Sequence, residues 1–172
     1  MTEVRRLHWG CGNITPAGWI NSDIQDGPGI DFSGDILNGL PLDDESIDCI
    51  SSQHVLPELK IYDQVPALSE LRRVLKPGGV LRLSLPDLEL AIAAYRSGRQ
   101  DHFLVWEWDT LAGNFITQIL WYGCIHTLFT YEFTEELLLK AGFSNVRRVA
   151  YRQTVSDYPE IIELDNREDE SF

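Results

Sequence analysis

The stretch Leu7-His8-Trp9-Gly10-Cys11-Gly12-Asn13 decides the fold. Val4, Leu7 and Trp9 mark the apolar end of a predicted buried strand, and two glycines one residue apart then end it. Glycine has no Cβ and adopts positive φ angles, so the backbone can turn tightly and pass close to a ligand. After the first strand of an α/β sheet, such a turn is where a nucleotide-like ligand binds. Taken alone, the two glycines are equally well explained as a simple turn.

Length, composition and charge narrow the protein class. With 172 residues, 44% of them hydrophobic, the chain suits one packed domain, which we expect over residues 1–172. It has no apolar run long enough to cross a membrane and no apolar core of a signal peptide near its start, which predicts a cytoplasmic protein. The formal net charge of −13 repels phosphate backbones and argues against nucleic-acid binding. Acidic residues concentrate in residues 163–172, where we expect a solvated tail.

Cysteine and histidine spacing favours neither a disulfide framework nor a metal site. Cys11, Cys49 and Cys124 form no CxxC pair, and an odd, scattered set is typical of reduced thiols. The four histidines show no HExxH spacing. We therefore expect no bound metal.

Apolar periodicity predicts strands that alternate with helices. After the first strand, strands are predicted over residues 19–24, 30–32, 47–51, 80–85 and 146–154, and helices over residues 65–75, 88–98 and 134–141. Thr134 is the predicted N-cap of the last helix. The link between the first two strands is too short for a full crossover helix, so we expect a shortened first helix. The alternation favours a doubly wound, mostly parallel α/β sheet.

Polar side chains are predicted at the ends of two strands. Asp23 ends strand two beside the glycine turn, where a carboxylate can accept hydrogen bonds from two vicinal ribose hydroxyls. An aspartate in a loop that faces water explains the same position equally well. Ser52, Gln53 and His54 end strand four.

Residues 101–133 form an aromatic-rich insertion after strand five. Its aromatic residues are Trp106, Trp108, Phe115, Trp121, Tyr122, Phe129, Tyr131 and Phe133. As a lid, the insertion would form an apolar substrate pocket that excludes water. As structure, it would cover the sheet or pair subunits, and tryptophan is common in both settings. We favour structural cover that also forms part of a lid.

Four segments, in chain order, resemble motifs of the class I S-adenosylmethionine-dependent methyltransferases, in particular the type 11 group. Residues 7–12 resemble the first motif, and residues 40–48 resemble the segment that leads into strand four. Residues 70–79 and 141–143 resemble the turns before strands five and six. The resemblance runs from about residue 7 to residue 149 and implies a Rossmann-like fold that binds S-adenosylmethionine (SAM).

The resemblance also implies roles for single residues. It implies that the backbone of Gly10, Cys11 and Gly12 contacts the methionine part of the cofactor and that Asp23 binds the ribose. It implies that Ile24 packs on the adenine ring, with Asp35 and Ile36 at the adenine amino group. Ser52, Gln53 and His54 would face the reactive methyl group. The sequence departs from the family pattern at Ile14, where many relatives have a third glycine, and at Pro57-Glu58, where they often have Glu-His.

The family's fold usually ends in a seventh strand, and this sequence stops about where that strand would begin. Residues 161–164 replace that strand, or the sheet is short, or the chain is truncated. A missing strand leaves unpaired sheet edges, so we expect association, with a homodimer as the simplest form.

Methyl transfer from SAM to an oxygen or nitrogen requires the acceptor to lose a proton. Histidine has a pKa near neutrality and is the natural base, so His126 in the insertion is the first candidate and His54 the second. Glu58 is the third. For each of them, a packed or surface role explains its presence as well.

Three functional hypotheses follow from the sequence. The first is a SAM-dependent methyltransferase that acts on a small molecule or on a glycan or secondary-metabolite precursor. The alternative is an inactive protein of the same fold that serves as a binding or assembly subunit. A nicotinamide-dinucleotide binder ranks last, because the fingerprint lacks its third glycine and Asp23 comes too soon.

Overall fold

The computed structural model describes residues 3–165. Its centre is a sheet of five parallel strands in the order β3-β2-β1-β4-β5. The strands are β1 (Arg6–Trp9), β2 (Ile20–Asp23), β3 (Phe32–Ser33), β4 (Ile47–Gln53) and β5 (Leu75–Ser84). The α-helices are α1 (Gln64–Val74), α2 (Leu88–Arg96), α3 (Leu111–Leu120) and α4 (Tyr131–Lys140).

The prediction of a doubly wound parallel sheet is confirmed. The chain places β2 and β3 on one side of β1 and places β4 and β5 on the other, so the strand order reverses between β1 and β4. Ligands of open α/β sheets bind at the carboxyl ends of the strands at such a reversal. The glycine turn follows β1 directly and therefore lies at this position.

Burial explains why the middle of the sheet forms where the apolar runs predict it. Ile47, Cys49 and Ile50 of β4 have no exposed surface, as expected for a parallel strand covered on both faces. The helix α1 turns Leu68 and Leu71 toward the same core, again without exposed surface. Its start and end agree with the helical spacing of the sequence within one residue.

The first helix is reduced to turns, as expected from the short link. Residues 10–19 contain no helix. Instead, the amides of Gly10 and Cys11 both donate to the carbonyl of Ser22 in β2, at 2.8 and 3.0 Å. These two bonds fix the glycine turn to the end of the neighbouring strand.

The predicted sixth strand over residues 146–154 is wrong. No residue described after β5 belongs to a strand of the sheet, and β5 is an edge strand within residues 3–165. The segment has consecutive arginines at Arg147 and Arg148, which interrupt an alternating apolar face, and Arg152 adopts a left-handed φ of +52°. Neither feature suits a regular strand.

Residues 161–164 also do not replace a strand. A 3₁₀ helix, Pro159–Ile162, brings Ile161 and Leu164 against Trp19 and Cys49 on one face of the sheet. The acidic segment starts differently from the prediction as well, because Asp165 is buried and ion-paired with Arg82. The rest of the predicted tail lies outside the described residues.

The last helix begins earlier than predicted. Thr130, not Thr134, is its N-cap, with the Thr130 hydroxyl accepting from the amide of Phe133 at 3.3 Å. Thr134 is buried inside the helix, where its hydroxyl donates to the carbonyl of Thr130 at 2.9 Å. Both threonines precede acidic residues, so the local pattern alone does not distinguish them.

In the part of the chain that the structure describes, helices are too short or too polar to span a membrane. The same residues contain no group of three or more His, Cys, Asp or Glu side chains that could hold a metal ion.

Candidate functional site

The glycine turn and the carboxylate of Asp23 meet directly. The amide of Gly12 donates to Asp23 Oδ2 at 2.8 Å, while Asp23 Oδ1 accepts a longer bond of 3.2 Å from the amide of Gln25. Asp23 therefore points back to the turn rather than into bulk water or across the sheet. Its oxygens keep acceptor capacity, because a carboxylate offers about four lone-pair directions.

The two glycines of the turn have different neighbours. Both adopt positive φ angles, +70° at Gly10 and +53° at Gly12. A Cβ at Gly10 would lie 2.0 Å from Cγ2 of Val55, whereas a Cβ at Gly12 would meet no atom within 4 Å. Gly10 is thus required for packing within the protein, and Gly12 presents bare backbone to open space where a ligand can approach.

The residues predicted at the adenine lie on the same side of the sheet as this turn. Ile24 follows Asp23 and is 67% exposed, so its side chain is available to a planar ring. Asp35 caps the 3₁₀ helix Ile36–Asn38 by accepting from the amide of Leu37 at 2.9 Å. Ile36 buries its side chain in the core, which leaves its backbone as the group that could face a ligand.

At the end of β4, Gln53 lies within a chain of polar side chains. Its amide oxygen bonds His8 Nε2 at 3.0 Å, and its amide nitrogen donates to the Ser51 hydroxyl at 2.7 Å. The Ser51 hydroxyl in turn donates to the carbonyl of Ile161 at 3.4 Å. Burial lowers the pKa of His8 below its usual value, and Ser52 is buried as well. Both the oxygen and the nitrogen of the Gln53 side-chain amide are therefore bonded within the protein.

A cavity of about 180 Å³ opens beyond the ends of β4 and β5. We call it the strand-end cavity. The residues of its wall that matter here are His54, Glu58, Asp87, His102, Gln118 and Trp121. Ile119, Ile125 and Leu128 add an apolar lining. Small apolar cavities with a few polar groups are typical binding sites for small molecules.

Hydrogen bonds fix part of the aromatic insertion to the wall of this cavity. The amides of His126 and Thr127 both donate to the carbonyl of Pro57, at 2.8 and 3.1 Å, and the Thr127 hydroxyl donates to the carbonyl of Leu59 at 2.7 Å. The insertion thereby contacts the 3₁₀ helix Leu56–Glu58 that follows β4. Trp106 lies elsewhere on the surface and is 64% exposed. One part of the insertion therefore lines the cavity and another part does not.

The three candidate bases have different places. His54 and Glu58 belong to the wall of the strand-end cavity, whereas His126 does not line it. Glu58 stands at the exposed mouth, and within residues 3–165 its carboxylate accepts no hydrogen bond. Burial and the negative charge of Asp23 raise the pKa of Glu58, and the nearby His126 opposes part of that rise. Glu58 therefore lines the cavity and is also influenced by the charge of Asp23.

Asp87 is the second carboxylate of the wall, and its oxygens are already engaged. It caps α2 by accepting from the amides of Glu89 and Leu90, at 2.9 and 3.3 Å, and it pairs with Arg148 at 3.0 Å. Asp87 is 4% exposed and has a structural role.

Sequence reasoning did not identify His102, Gln118 or Trp121 as wall residues. They come from three different parts of the insertion and share no spacing, so no pattern in the sequence marks them. The aromatic composition of residues 101–133 was the only available signal.

A second concave region, which we call the edge groove, runs along the outer side of β5 and has a volume of about 600 Å³. Its basic residues are Arg72, Lys76, Arg82, Arg147 and Arg148. It follows the length of β5 and residues 142–156 rather than the carboxyl ends of the strands, so we do not assign it to the cofactor.

Comparisons with known proteins find similarity in part of the sequence and in the fold. A sequence model of the methyltransferase domain matches residues 20–83. An uncharacterized 37.1 kDa protein in a transposon of Streptomyces fradiae is 42% identical over 60 residues, which are 35% of this chain and 17% of that protein. The chain thus matches a small part of this relative's length.

Two solved structures share the fold. A SAM-dependent methyltransferase of Thermotoga maritima, described as a possible histamine N-methyltransferase, is similar with a TM-score of 0.58 and 22% identity over 84% of this chain and 66% of its own. A SAM-dependent methyltransferase of Archaeoglobus fulgidus has a TM-score of 0.62 and 13% identity over 98% of this chain and 83% of its own. The matched segment, this fold and the position of the glycine turn agree with one another: residues 20–83 match the methyltransferase domain, and the fold is the one that these SAM-dependent methyltransferases share.

Proposed function

We propose that this protein binds SAM against the glycine turn and Asp23, and that it transfers the methyl group to a small molecule in the strand-end cavity. The single observation that carries the proposal is the 2.8 Å hydrogen bond from the amide of Gly12 to Asp23. It brings exposed backbone and a carboxylate to one point at the reversal of the strand order. The open space beside Gly12 suits the methionine part, and the remaining acceptor capacity of the Asp23 carboxylate suits ribose hydroxyls.

The residues present fit this cofactor. Gly12 leaves space beside its backbone, and the side chain of Ile24 is exposed next to Asp23, where an adenine ring could stack. Bound there, SAM supplies an electrophilic methyl group on a sulfonium sulfur. The protein mainly has to orient the acceptor and exclude water, and orientation alone can contribute about 7–11 kcal/mol to lowering a barrier.

Glu58 and His54 are the better-placed candidates for a proton acceptor. Both line the strand-end cavity, whose wall includes Pro57, to which the insertion donates two backbone hydrogen bonds. His126 lies outside that wall but beside Glu58, where it would adjust the charge of the carboxylate. The acceptor is a small molecule, with glycan and secondary-metabolite precursors as the first compounds to examine.

Calorimetry with SAM and with its demethylated product, S-adenosylhomocysteine, tests the binding step. We expect both to bind and reduced nicotinamide dinucleotide not to bind. Mass spectrometry of acceptor mixtures incubated with SAM then tests transfer, with the gain of one methyl group as the readout. Absence of binding of either compound at about 1 mM, where even a weak site is occupied, would end the proposal.

The alternative is a binding or assembly subunit without turnover. One observation favours it: α3 is an uncharged helix, and its Ile116 and Leu120 side chains are 52% and 42% exposed. Such a surface is typical of contacts with another protein. Binding of S-adenosylhomocysteine with no methylated product from any acceptor would favour this alternative.

Self-association through β5 remains part of the proposal. Within residues 3–165, β5 is paired on one side only, and unpaired strand edges invite another strand. We expect light scattering at micromolar concentration to give a dimer mass. A monomer mass would remove this part of the proposal and leave the methyltransferase assignment unaffected.

A further inference from the structure

The strand-end cavity has a one-sided set of charges. Its wall contains two carboxylates, Glu58 and Asp87, and two imidazoles, His54 and His102. Among the described residues that line it, there is no lysine and no arginine. Asp87 is already engaged by the start of α2 and by Arg148. Glu58 is therefore the carboxylate of this wall that is open to a ligand.

We propose that the strand-end cavity takes a small primary or secondary amine, and that Glu58 binds its nitrogen and removes its proton; this inference rests on the proposed methyl transfer. A carboxylate or phosphate acceptor would meet the negative charges of Glu58 and Asp23 without any cation of the wall to compensate. An ammonium group would instead gain a charge-assisted hydrogen bond. The negative charge of the Glu58 and Asp23 carboxylates therefore favours an ammonium group and disfavours an anionic acceptor.

The size and the apolar lining of the strand-end cavity restrict the kind of amine that fits. The cavity volume of about 180 Å³ admits a small molecule rather than a polymer end with several sugar units. Ile119, Trp121 and Leu128 also line the cavity and add apolar surface to its polar groups. An amine that carries a small ring or a short apolar chain satisfies both sides of this wall.

The surroundings of Glu58 suit proton removal. The groups that face it are Asp23 from β2 and His126 from the insertion, while His54 shares the cavity wall. Burial and Asp23 raise the pKa of Glu58, so its carboxylate is a better base than an ordinary glutamate. Its position at the exposed mouth lets the proton leave to solvent afterwards.

The step balances in atoms and charge. An ammonium group first gives one proton to Glu58 and becomes a neutral amine. The nitrogen lone pair then forms a bond to the methyl carbon while the carbon–sulfur bond breaks and its electron pair stays on sulfur. The products are an N-methylammonium compound, the thioether S-adenosylhomocysteine and a protonated Glu58, which releases its proton to water.

Three probes of nearly equal shape test the inference on the full-length protein: benzylamine, benzyl alcohol and benzoate. Each is titrated by calorimetry in the presence of saturating S-adenosylhomocysteine, and turnover of benzylamine with SAM is followed by mass spectrometry. We expect benzylamine to bind at least about tenfold more tightly than benzoate, with benzyl alcohol between them.

Glu58→Gln is the test variant, and Glu3→Gln is the matched control because Glu3 is an exposed carboxylate remote from the cavity. Glu58→Gln should weaken the binding of benzylamine by about tenfold. It should change the affinity for S-adenosylhomocysteine by no more than about twofold, and it should not weaken the binding of benzoate. Glu3→Gln should change none of these values.

The outcomes separate the two proposals. If S-adenosylhomocysteine does not bind the wild-type protein, the methyltransferase proposal fails and this inference fails with it. If S-adenosylhomocysteine binds but benzylamine does not bind at about 10 mM, or binds no better than benzoate, only the amine inference is overturned. An unchanged preference for benzylamine in Glu58→Gln would overturn the role of Glu58.

Discussion

The two halves of the molecule are built in different ways. Residues 3–85 form the parallel sheet with α1, and backbone hydrogen bonds and glycine conformations shape the proposed cofactor site there. Residues 86–165 contain helices and irregular segments, and side chains from separate stretches of them, together with His54 and Glu58 of the first half, shape the strand-end cavity. The proposed cofactor site therefore depends mainly on backbone geometry, whereas the proposed acceptor site depends on side chains that are far apart in the sequence.

Apolar side chains are more completely buried in the strand β4 of the first half than in the helix α3 of the second. The strand β4 has three apolar residues without any exposed surface, whereas α3 buries only Asn114. Trp106 and Trp108 are 64% and 56% exposed. Regions with few buried apolar contacts open at lower free-energy cost, so we expect the second half to open locally before the sheet does.

The largest expected loss of stability comes from breaking the ion pair between Arg82 of the first half and Asp165 of the second. Asp165 is 4% exposed at its side chain, and it accepts from Arg82 Nε at 2.7 Å and from the amide of Arg152 at 2.9 Å. Asp165→Ala leaves the Arg82 side chain, which is only 11% exposed, without its carboxylate, and we expect the free energy of unfolding to fall by about 3–5 kcal/mol. Urea denaturation measures this. Asp157→Ala, at an exposed aspartate, should stay within about 0.5 kcal/mol, and equal losses in both variants would contradict the assignment.

The next effect distinguishes the two glycines of the cofactor half. Gly10→Ala combines a left-handed φ, worth about 1–2 kcal/mol, with a Cβ that would lie 2.0 Å from Val55. Overpacking adds about 1–3 kcal/mol, and the added Val55→Ala change should recover that part. Gly12→Ala lacks the clash and should lose only about 1–2 kcal/mol of stability while it weakens S-adenosylhomocysteine. Equal stability of the two single variants in thermal denaturation would refute this distinction.

A smaller effect is expected from pH through His8. Burial lowers the pKa of His8 in the folded protein below the ordinary value of 6.5, so the unfolded chain binds a proton more readily. Stability from this group is present above about pH 6.5 and is lost as the pH falls below that value. We expect the free energy of unfolding to decrease on acidification from pH 7.5 to 5.5. The decrease should be smaller in His8→Gln, and an identical decrease would contradict it.

The smallest change concerns the pH profile of catalysis. Because the pKa of Glu58 is raised, methyl transfer should lose rate on acidification at a higher pH than an ordinary glutamate would give. The acidic limb of kcat/KM should disappear or move in Glu58→Gln. A limb that stays in place would assign the proton transfer to another group, with His54 as the next to test.

Sequence reasoning succeeded where neighbouring residues determine the structure. The glycine turn, the end of β2 at Asp23 and the buried β4 follow from local apolar patterns and from glycine chemistry, and the structure confirms these elements. The direction of the Asp23 side chain could not be predicted, because it depends on a bond to Gly12 across two strands.

Prediction from the sequence failed where contacts between residues far apart in the chain determine the structure. The apolar residues within 146–154 resemble a strand, yet the consecutive Arg147 and Arg148 leave no clean face to pair with β5. The buried Asp165 could not be distinguished from its acidic neighbours, because its partner Arg82 lies 83 residues away. The wall residues of the strand-end cavity come from scattered positions for the same reason.

The account depends most on Asp23 and the glycine turn acting on one nucleoside, and calorimetry with S-adenosylhomocysteine tests this directly. Asp23→Asn keeps the shape of the side chain but removes the charge that would hold two ribose hydroxyls. Asp26→Asn is the matched control, because the Asp26 carboxylate lies in the next loop and accepts only from the amide of Gly27 within the described residues. We predict that Asp23→Asn weakens binding at least about thirtyfold while Asp26→Asn changes it by less than about twofold. Equal affinity of wild type and Asp23→Asn would contradict the account.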